Sequence, residues 1–346
     1  MIKLKPGISV IVCCYNSAKR IELTLEHLVN QEFQSKLDWE IILIDNNSTD
    51  DTAKVASKHM SLYGSKVSFR VVQESTPGLS HARNKGFAES VYEIVLMVDD
   101  DNSLAPNYVE GVFAGFEDDQ KIGMVGGLGI AQLEESPPDW FEKYANCFAV
   151  GNQHVDESRE IEHLYGAGLA LRLNALNKIK ASGFSSILTD RTGSNLMSGG
   201  DTELCYVFRM AGYQLKYLQQ LTFKHHLPKG RVNWNYVRRL YSGFGKTKAF
   251  METYTAVASG QALPVEGKLP FWRDRITYLL GNLLSDFPIL TAGLFSKLEG
   301  NDRILTATAK LGHIQKIYQL KSKYLDNYRK VFALQSNLKQ LTIDDE

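Results

Sequence analysis

No pair among the four cysteines, Cys13, Cys14, Cys147 and Cys205, has the spacing of a zinc or dithiol redox motif, which excludes a cysteine-built metal site or a disulfide scaffold. Charge of one sign is missing as well. The chain has 39 Lys and Arg against 39 Asp and Glu, so no overall field recruits nucleic acid. No apolar run spans a bilayer unbroken, because Asp286 and Pro288 interrupt residues 276–295 and a charge at a helix centre costs about 2.5–3.5 kcal/mol on insertion scales. Core helices or an interfacial hairpin are expected there instead. The start, Met1-Ile2-Lys3-Leu4-Lys5-Pro6, lacks the apolar core of a secretion signal, and a reducing cytoplasmic setting is expected. The first apolar run is followed by neither Gly-x-Gly-x-x-Gly nor a Gly-Lys-Ser or Gly-Lys-Thr P-loop, which removes the dinucleotide and P-loop readings.

What is present is alternation. Residues 8–14 form a continuous β-prone run, closed by Tyr15-Asn16-Ser17 before a helical pattern in Ile21, Leu25, Leu28 and Val29. The cycle repeats at 39–44, where a strand ends in Asp45-Asn46-Asn47-Ser48-Thr49-Asp50 and a helix runs to about Leu62. A third strand over 67–73, a helix over 78–90, a fourth strand, a helix over 107–117 and a short strand over 123–128 follow. Strands alternating with helices predict a mostly parallel sheet flanked by helices, and such sheets bind ligands outside the carboxyl ends of their strands. Tyr15 and Asn16, Asp45 and Asn47, and Asp99 to Asp101 all sit directly after strands.

The fourth strand carries the sharpest signal. Residues 94–98 are apolar and end abruptly in Asp99-Asp100-Asp101, with Asn102, Ser103 and Pro106 turning the chain toward a helix. Like charges at the lip of a buried strand repel strongly at low dielectric, so a hard divalent cation with oxygen ligands is the natural companion. The alternative is an acidic turn that caps the following helix.

Four motifs in this order and spacing, Ser9-Val10-Ile11-Val12-Cys13-Cys14-Tyr15-Asn16, Ile44-Asp45-Asn46-Asn47-Ser48-Thr49-Asp50, Gly78-Leu79-Ser80-His81-Ala82-Arg83-Asn84-Lys85-Gly86 and Val98-Asp99-Asp100-Asp101, resemble the family 2 glycosyltransferases of GT-A fold. The resemblance implies a nucleotide-sugar site: Tyr15 and Asp45 around the base with Asn16 and Asn47 beside them, Arg83 near base and phosphate, Asp99 or Asp100 on the ribose, and Asp101 on a Mn2+ or Mg2+ bridging the diphosphate. The family commonly has Pro-Thr or a similar pair where this chain has Cys13-Cys14, so backbone groups would replace hydroxyl contacts there. An Asp45 carboxylate would accept an imide N–H, which favours uracil or thymine over cytosine and is satisfied by guanine too.

The second half has another landmark, Ser198-Gly199-Gly200-Asp201-Thr202-Glu203-Leu204, two glycines before a carboxylate at the start of an amphipathic helix. A helix N-terminus favours an ionised carboxylate, as a general base must be. The stretch resembles the family's Glu-Asp-x-Glu-Leu segment, whose Asp is the base; Gly200 replaces the first Glu, so Asp201 carries over and its partner does not. Glu203, two residues along, points away from Asp201 on a helix, and a plain N-cap is the other reading of Asp201. His225-His226 end a strand pattern; one of them faces the site because neighbours on a strand alternate, and His226 is preferred as a metal ligand. Arg231, Arg238 and Arg239 could serve a leaving diphosphate or a basic surface, and Trp140 a sugar ring or the core.

The chain is therefore identified as an inverting, metal-dependent GT-A-like glycosyltransferase, with residues 1–255 as the catalytic domain (1–130 nucleotide half, 131–255 acceptor and catalytic half) and 256–346 as a helical C-terminal extension. A UDP-sugar donor and a glycan or lipid-linked acceptor are expected, with surface polysaccharide or glycan synthesis as the setting. The lysine-rich helical pattern over 297–340 suggests peripheral contact with an anionic membrane. The rivals are a sugar-phosphate nucleotidyltransferase, which would need a basic Gly-rich loop after the first strand, and a non-catalytic carbohydrate- or partner-binding protein, against which the carboxylates argue.

Overall fold

The structure is a computed structural model that describes residues 4–344 apart from 65, 118, 155–157, 189–195, 266, 268–270 and 297. The first half alternates as β1 (Lys5–Cys14), α1 (Ile21–Val29), β2 (Trp39–Asp45), α2 (Thr52–Ser61), β3 (Ser68–Gln73), α3 (Leu79–Glu89), β4 (Tyr92–Asp99), β5 (Asn102–Leu104), α4 (Tyr108–Glu117) and β6 (Ile122–Leu133). An irregular stretch leads to β7 (Leu169–Arg172), α5 (Leu173–Ala181), α6 (Gly200–Met210), β8 (Gln214–Leu227) and the long α7 (Trp234–Ala258). Helices α8 (Phe271–Leu283), α9 (Phe287–Phe295), α10 (Asp302–Gln319) and α11 (Tyr324–Asp344) complete the chain.

The strands form one eight-stranded mixed sheet among the described residues, in the order β3-β2-β1-β4-β7-β6-β8-β5. β1 pairs in parallel with β2 and β4, and β2 with β3, as crossover helices require. Side chains alternate between two cores: Ile11, Ile42, Val95 and Met97 face one, and Val10, Ile41, Leu43 and Leu96 the other. β7 enters antiparallel between β4 and β6, because the segment that delivers it is not a single crossover helix.

Two sequence expectations change. Residues 102–104, expected to turn toward a helix, form β5, which pairs antiparallel with β8 and sets Asn102 opposite His225. Asn102 Oδ1 accepts the Asp99 N–H at 3.2 Å and fixes the bend between β4 and β5. The short strand expected over 123–128 extends to twelve residues because β8 pairs with it along its length.

No described helix is long and apolar enough to cross a membrane. Asp286 is buried between α8 and α9 and accepts from Lys310 Nζ at 2.6 Å. Helix α10 lies against α7 with backbones in contact: a Cβ at Gly245 would come within 1.9 Å of the Ala309 carbonyl oxygen, and one at Gly312 within 2.3 Å of that of Ser242. Further along α7, Glu252, its side chain 9% exposed, is surrounded by Arg275 Nη2 at 2.7 Å, His313 Nε2 at 2.6 Å and the Tyr324 hydroxyl. Burial opposes the charge of Glu252, but these partners hold its carboxyl down at about 2. Trp140 packs 5.3 Å from Trp234 in the core and offers no platform for a sugar.

Candidate active site

A cleft of about 1040 Å³ opens at the carboxyl ends of β1 and β4. It is lined by Tyr15, Arg83 and Asp99 to Asp101 from the first half of the chain, and by Tyr165 to Ala167, Asp201 and the α7 residues Tyr236, Tyr241, Phe244 and Lys248 from the second. The β4 strand end holds three carboxylates whose neighbours differ. Arg20 Nη2 donates to Asp100 Oδ2 at 2.7 Å, and Ser17 Oγ donates to the same oxygen. Arg231 Nη1 donates to Asp101 Oδ2 at 2.7 Å, while His225 Nε2 stands 3.5 Å from Asp101 Oδ1. Burial pushes Asp100 up, with Arg20 opposing. Asp101 is also penalised by burial, yet His225 and Arg231 overcome this and hold it well below the usual carboxylate range. His225 is raised in turn, since Asp101 outweighs the cost of burying its charge.

His225, and not His226, therefore faces the site. The β5–β8 register sets the phase of the pleat, and His226 points away to bond Ser103 Oγ through Nε2 at 2.9 Å. His226, expected as a metal ligand, does not line the cleft, and His225 does.

Asp201 occupies the first turn of α6, where the Gly166 N–H donates to Oδ2 at 2.8 Å and the Thr202 N–H to Oδ1 at 2.9 Å. Gly166 marks where two side chains meet: a Cβ there would lie 2.8 Å from Arg83 Nη2 and 3.0 Å from Asp201 Oδ2. Arg83 from α3 and Asp201 from α6 thus converge on one point of the cleft. Glu203 is elsewhere, fully buried, accepting from the Ile187 N–H at 2.9 Å and the Tyr254 hydroxyl at 2.8 Å.

Three expected nucleotide contacts do not line the cleft. Asp45 is buried, accepting from the Ser48 N–H at 3.2 Å and Gln73 Nε2 at 3.1 Å, and Asn46 takes its place at the wall. Asn16 and Asn47 have φ of 51° and 61°, left-handed values that asparagine tolerates, and Asn16 Oδ1 accepts from the Thr49 N–H at 2.8 Å. Both asparagines shape the loops. Sequence reasoning also passed over Arg20 and Ser17, whose contacts with Asp100 span about 80 residues and leave no local pattern, and over Tyr236, Tyr241 and Phe244, which read as ordinary helix residues. Cys13 lines the cleft, and the desolvation of its thiol pushes it up to about 12.

An eight-stranded mixed sheet flanked by helices, with carboxylates gathered at its strand ends and a helix-borne carboxylate in the same cleft, is the GT-A fold. Residues 9–180 match the model of glycosyl transferase family 2, and the chain belongs to that family. It is 36% identical over 110 residues to a cholesterol galactosyltransferase of Borreliella burgdorferi, covering 32% of this chain and 29% of that protein. It is 23% identical over 247 residues to a glucosyl-dolichyl phosphate glucuronosyltransferase of Haloferax volcanii, covering 69% of this chain and 76% of that one. In fold it is similar to a mannosyltransferase of Pyrobaculum calidifontis in complex with GDP-Man and Mn2+, with a TM-score of 0.54 and 17% identity over 99% of this chain and 89% of that one.

Proposed function

We propose that the protein transfers a sugar from a nucleoside-diphosphate sugar, with UDP-sugars favoured, to a hydroxyl of a glycan or lipid-linked acceptor, by direct displacement with inversion. The observation that carries this reading is the convergence of Arg83 and Asp201 at Gly166, in the same cleft as Asp99 to Asp101. Asp201 takes the proton of the acceptor hydroxyl, whose oxygen then attacks the anomeric carbon. Arg83 faces the charge that develops on the departing diphosphate. Tyr15, half exposed at the rim, stacks on the base, and Asp99 or Asp100 meets the ribose.

The cleft residues fit a divalent cation. His225 Nδ1 donates to the Phe148 carbonyl at 2.6 Å, so in the neutral ring the lone pair lies on Nε2, 3.5 Å from Asp101 Oδ1, where a cation would take the place of the Nε2 proton. Among the described residues no three His, Cys, Asp or Glu side chains gather as a complete ligand set, but a cation that also binds phosphate oxygens needs only one or two protein ligands. Asp101 and His225 would hold it, and a Mn2+ or Mg2+ bound there would supply positive charge to the diphosphate. Arg231 already neutralises the other Asp101 oxygen. The proposed setting is glycan or surface polysaccharide synthesis, carried out at a membrane surface.

Nucleoside diphosphate release across a panel of UDP-, GDP- and dTDP-sugars with Mn2+ tests the reading. A UDP-sugar should be turned over with a requirement for metal. Pyrophosphate formation from a sugar phosphate and a nucleoside triphosphate, with no turnover of any nucleotide sugar, would overturn it.

A further inference from the structure

Exposed large apolar side chains are not spread evenly over the molecule. Tyr278, Leu280, Leu284, Phe287, Leu311 and Tyr318, between 43% and 75% exposed, are six of the thirteen found among the described residues. Leu280, Leu284 and Phe287 follow the i, i+4, i+7 spacing of one helical face through the turn that joins α8 to α9. Aromatic rings nearby carry cations: Arg273 lies 5.2 Å from the Trp272 ring, Arg275 5.1 Å from Tyr278 and Lys321 5.2 Å from Tyr318. Trp272 and Tyr318 meet edge to face at 6.1 Å. Residues 271–330 contain ten Lys or Arg against five Asp or Glu, in a chain whose total is balanced. Such an apolar face, rimmed by amphipathic aromatics and surplus positive charge, complements a negatively charged lipid surface.

We propose that the face bearing Leu280, Leu284 and Phe287 inserts into the headgroup region of an anionic membrane, with Trp272, Tyr278 and Tyr318 at the interface and the surrounding lysines and arginines on lipid phosphates. The inference rests on the proposed work at a membrane surface and names the surface used. It moves the contact from the lysine-rich helices as a whole to the joint of α8 and α9. Lys310 at this joint is tied to Asp286, so the joint keeps its shape while its apolar face stays outward.

The test is flotation of the full chain with phosphatidylcholine vesicles, with and without phosphatidylglycerol. The unaltered protein should float with the anionic vesicles and retain part of that binding at high salt, since apolar insertion is not screened. Leu284→Ser with Phe287→Ser changes no charge and should lower partitioning by at least about tenfold, with melting and vesicle-free nucleoside diphosphate release unchanged. That release reads the transfer reaction separately, so failure of one reading does not mimic failure of the other. Absence of flotation, flotation of the double variant equal to that of the unaltered chain, or a dimer in sedimentation that the double variant makes monomeric would each overturn the proposal; the last would assign the face to a second copy. If the double variant fails to fold, quenching of Trp272 by brominated anionic lipid in the unaltered chain, with Trp272→Phe as blank, decides: quenching supports insertion and its absence refutes it.

Discussion

Two buried carboxylates in this molecule have nearly the same companions. Asp101 at the end of β4 has Arg231 at 2.7 Å and His225 at 3.5 Å; Glu252 on α7 has Arg275 at 2.7 Å and His313 at 2.6 Å. Both are held below their ordinary values against the cost of burial. What separates them is space. Asp101, Arg231 and His225 border the cleft, whereas Glu252 is closed in by α8, α10 and α11, with the Tyr324 hydroxyl on its second oxygen. A sealed ion cluster fixes the arrangement of helices, and the same chemistry beside an open cavity has room to exchange a protein cation for a ligand.

Substitutions can break this contrast, beginning with the largest expected effect. Asp201→Asn should lower kcat by about 10²- to 10⁴-fold with nucleotide binding preserved, because it removes a base and keeps the side chain's size, its one oxygen still accepting from the Gly166 or the Thr202 N–H. Steady-state kinetics beside calorimetry of nucleoside diphosphate checks this, and a dead Glu203→Gln next to an active Asp201→Asn would move the base. Glu252→Gln should cost stability on the order of 3 kcal/mol at neutral pH, from a carboxyl held at about 2 instead of 4.5. A depressed carboxyl stabilises the fold above its unfolded value and loses that contribution as pH falls through the folded one. The gap in melting temperature between the two proteins should therefore close from about pH 4.5 toward pH 2. Asp101→Ala should also lower the melting temperature, since it leaves Arg231 and His225 without their carboxylate, and should in addition weaken Mn2+-dependent nucleotide binding by at least the roughly tenfold to hundredfold that loss of an outer metal partner costs. Melting losses in both variants with Mn2+-dependent nucleotide binding equally preserved in both would erase the distinction between them. The smallest difference is between the histidines: His225→Gln should blunt the Mn2+ response seen by calorimetry, and His226→Gln, whose ring is turned to Ser103, should leave it near that of the unaltered protein.

How much of this was legible in the sequence depended on the range of the cause. The alternating strands and the polar residues at their ends follow from local periodicity, and the sheet places Tyr15 and Asp99 to Asp101 together as that periodicity implies. The rule that only one of His225 and His226 faces inward was legible, but its phase was not, because it comes from the pairing of β5 with β8 across more than a hundred residues. Asp45 carries the chemistry of a ligand, and its burial with Gln73 and Ser48 as partners is set by side-chain packing after the strand is placed. Arg20, Arg275 and His313 gave no local signal, since a lone charge on a helix reads the same whether its partner is water or a buried carboxylate.

The crossing of α7 and α10 bears on how this chain can be cut or recombined. Tyr241, Phe244 and Lys248, on the cleft side of α7, lie within a turn of Gly245, where the helix meets Ala309 backbone to backbone. A chain shortened at the end of α7 keeps every acidic residue named in the cleft and loses the rail against which α7 is aligned. Chimeras that exchange the acceptor side of the cleft should accordingly carry α7 and α10 as a matched pair, with glycine at both 245 and 312.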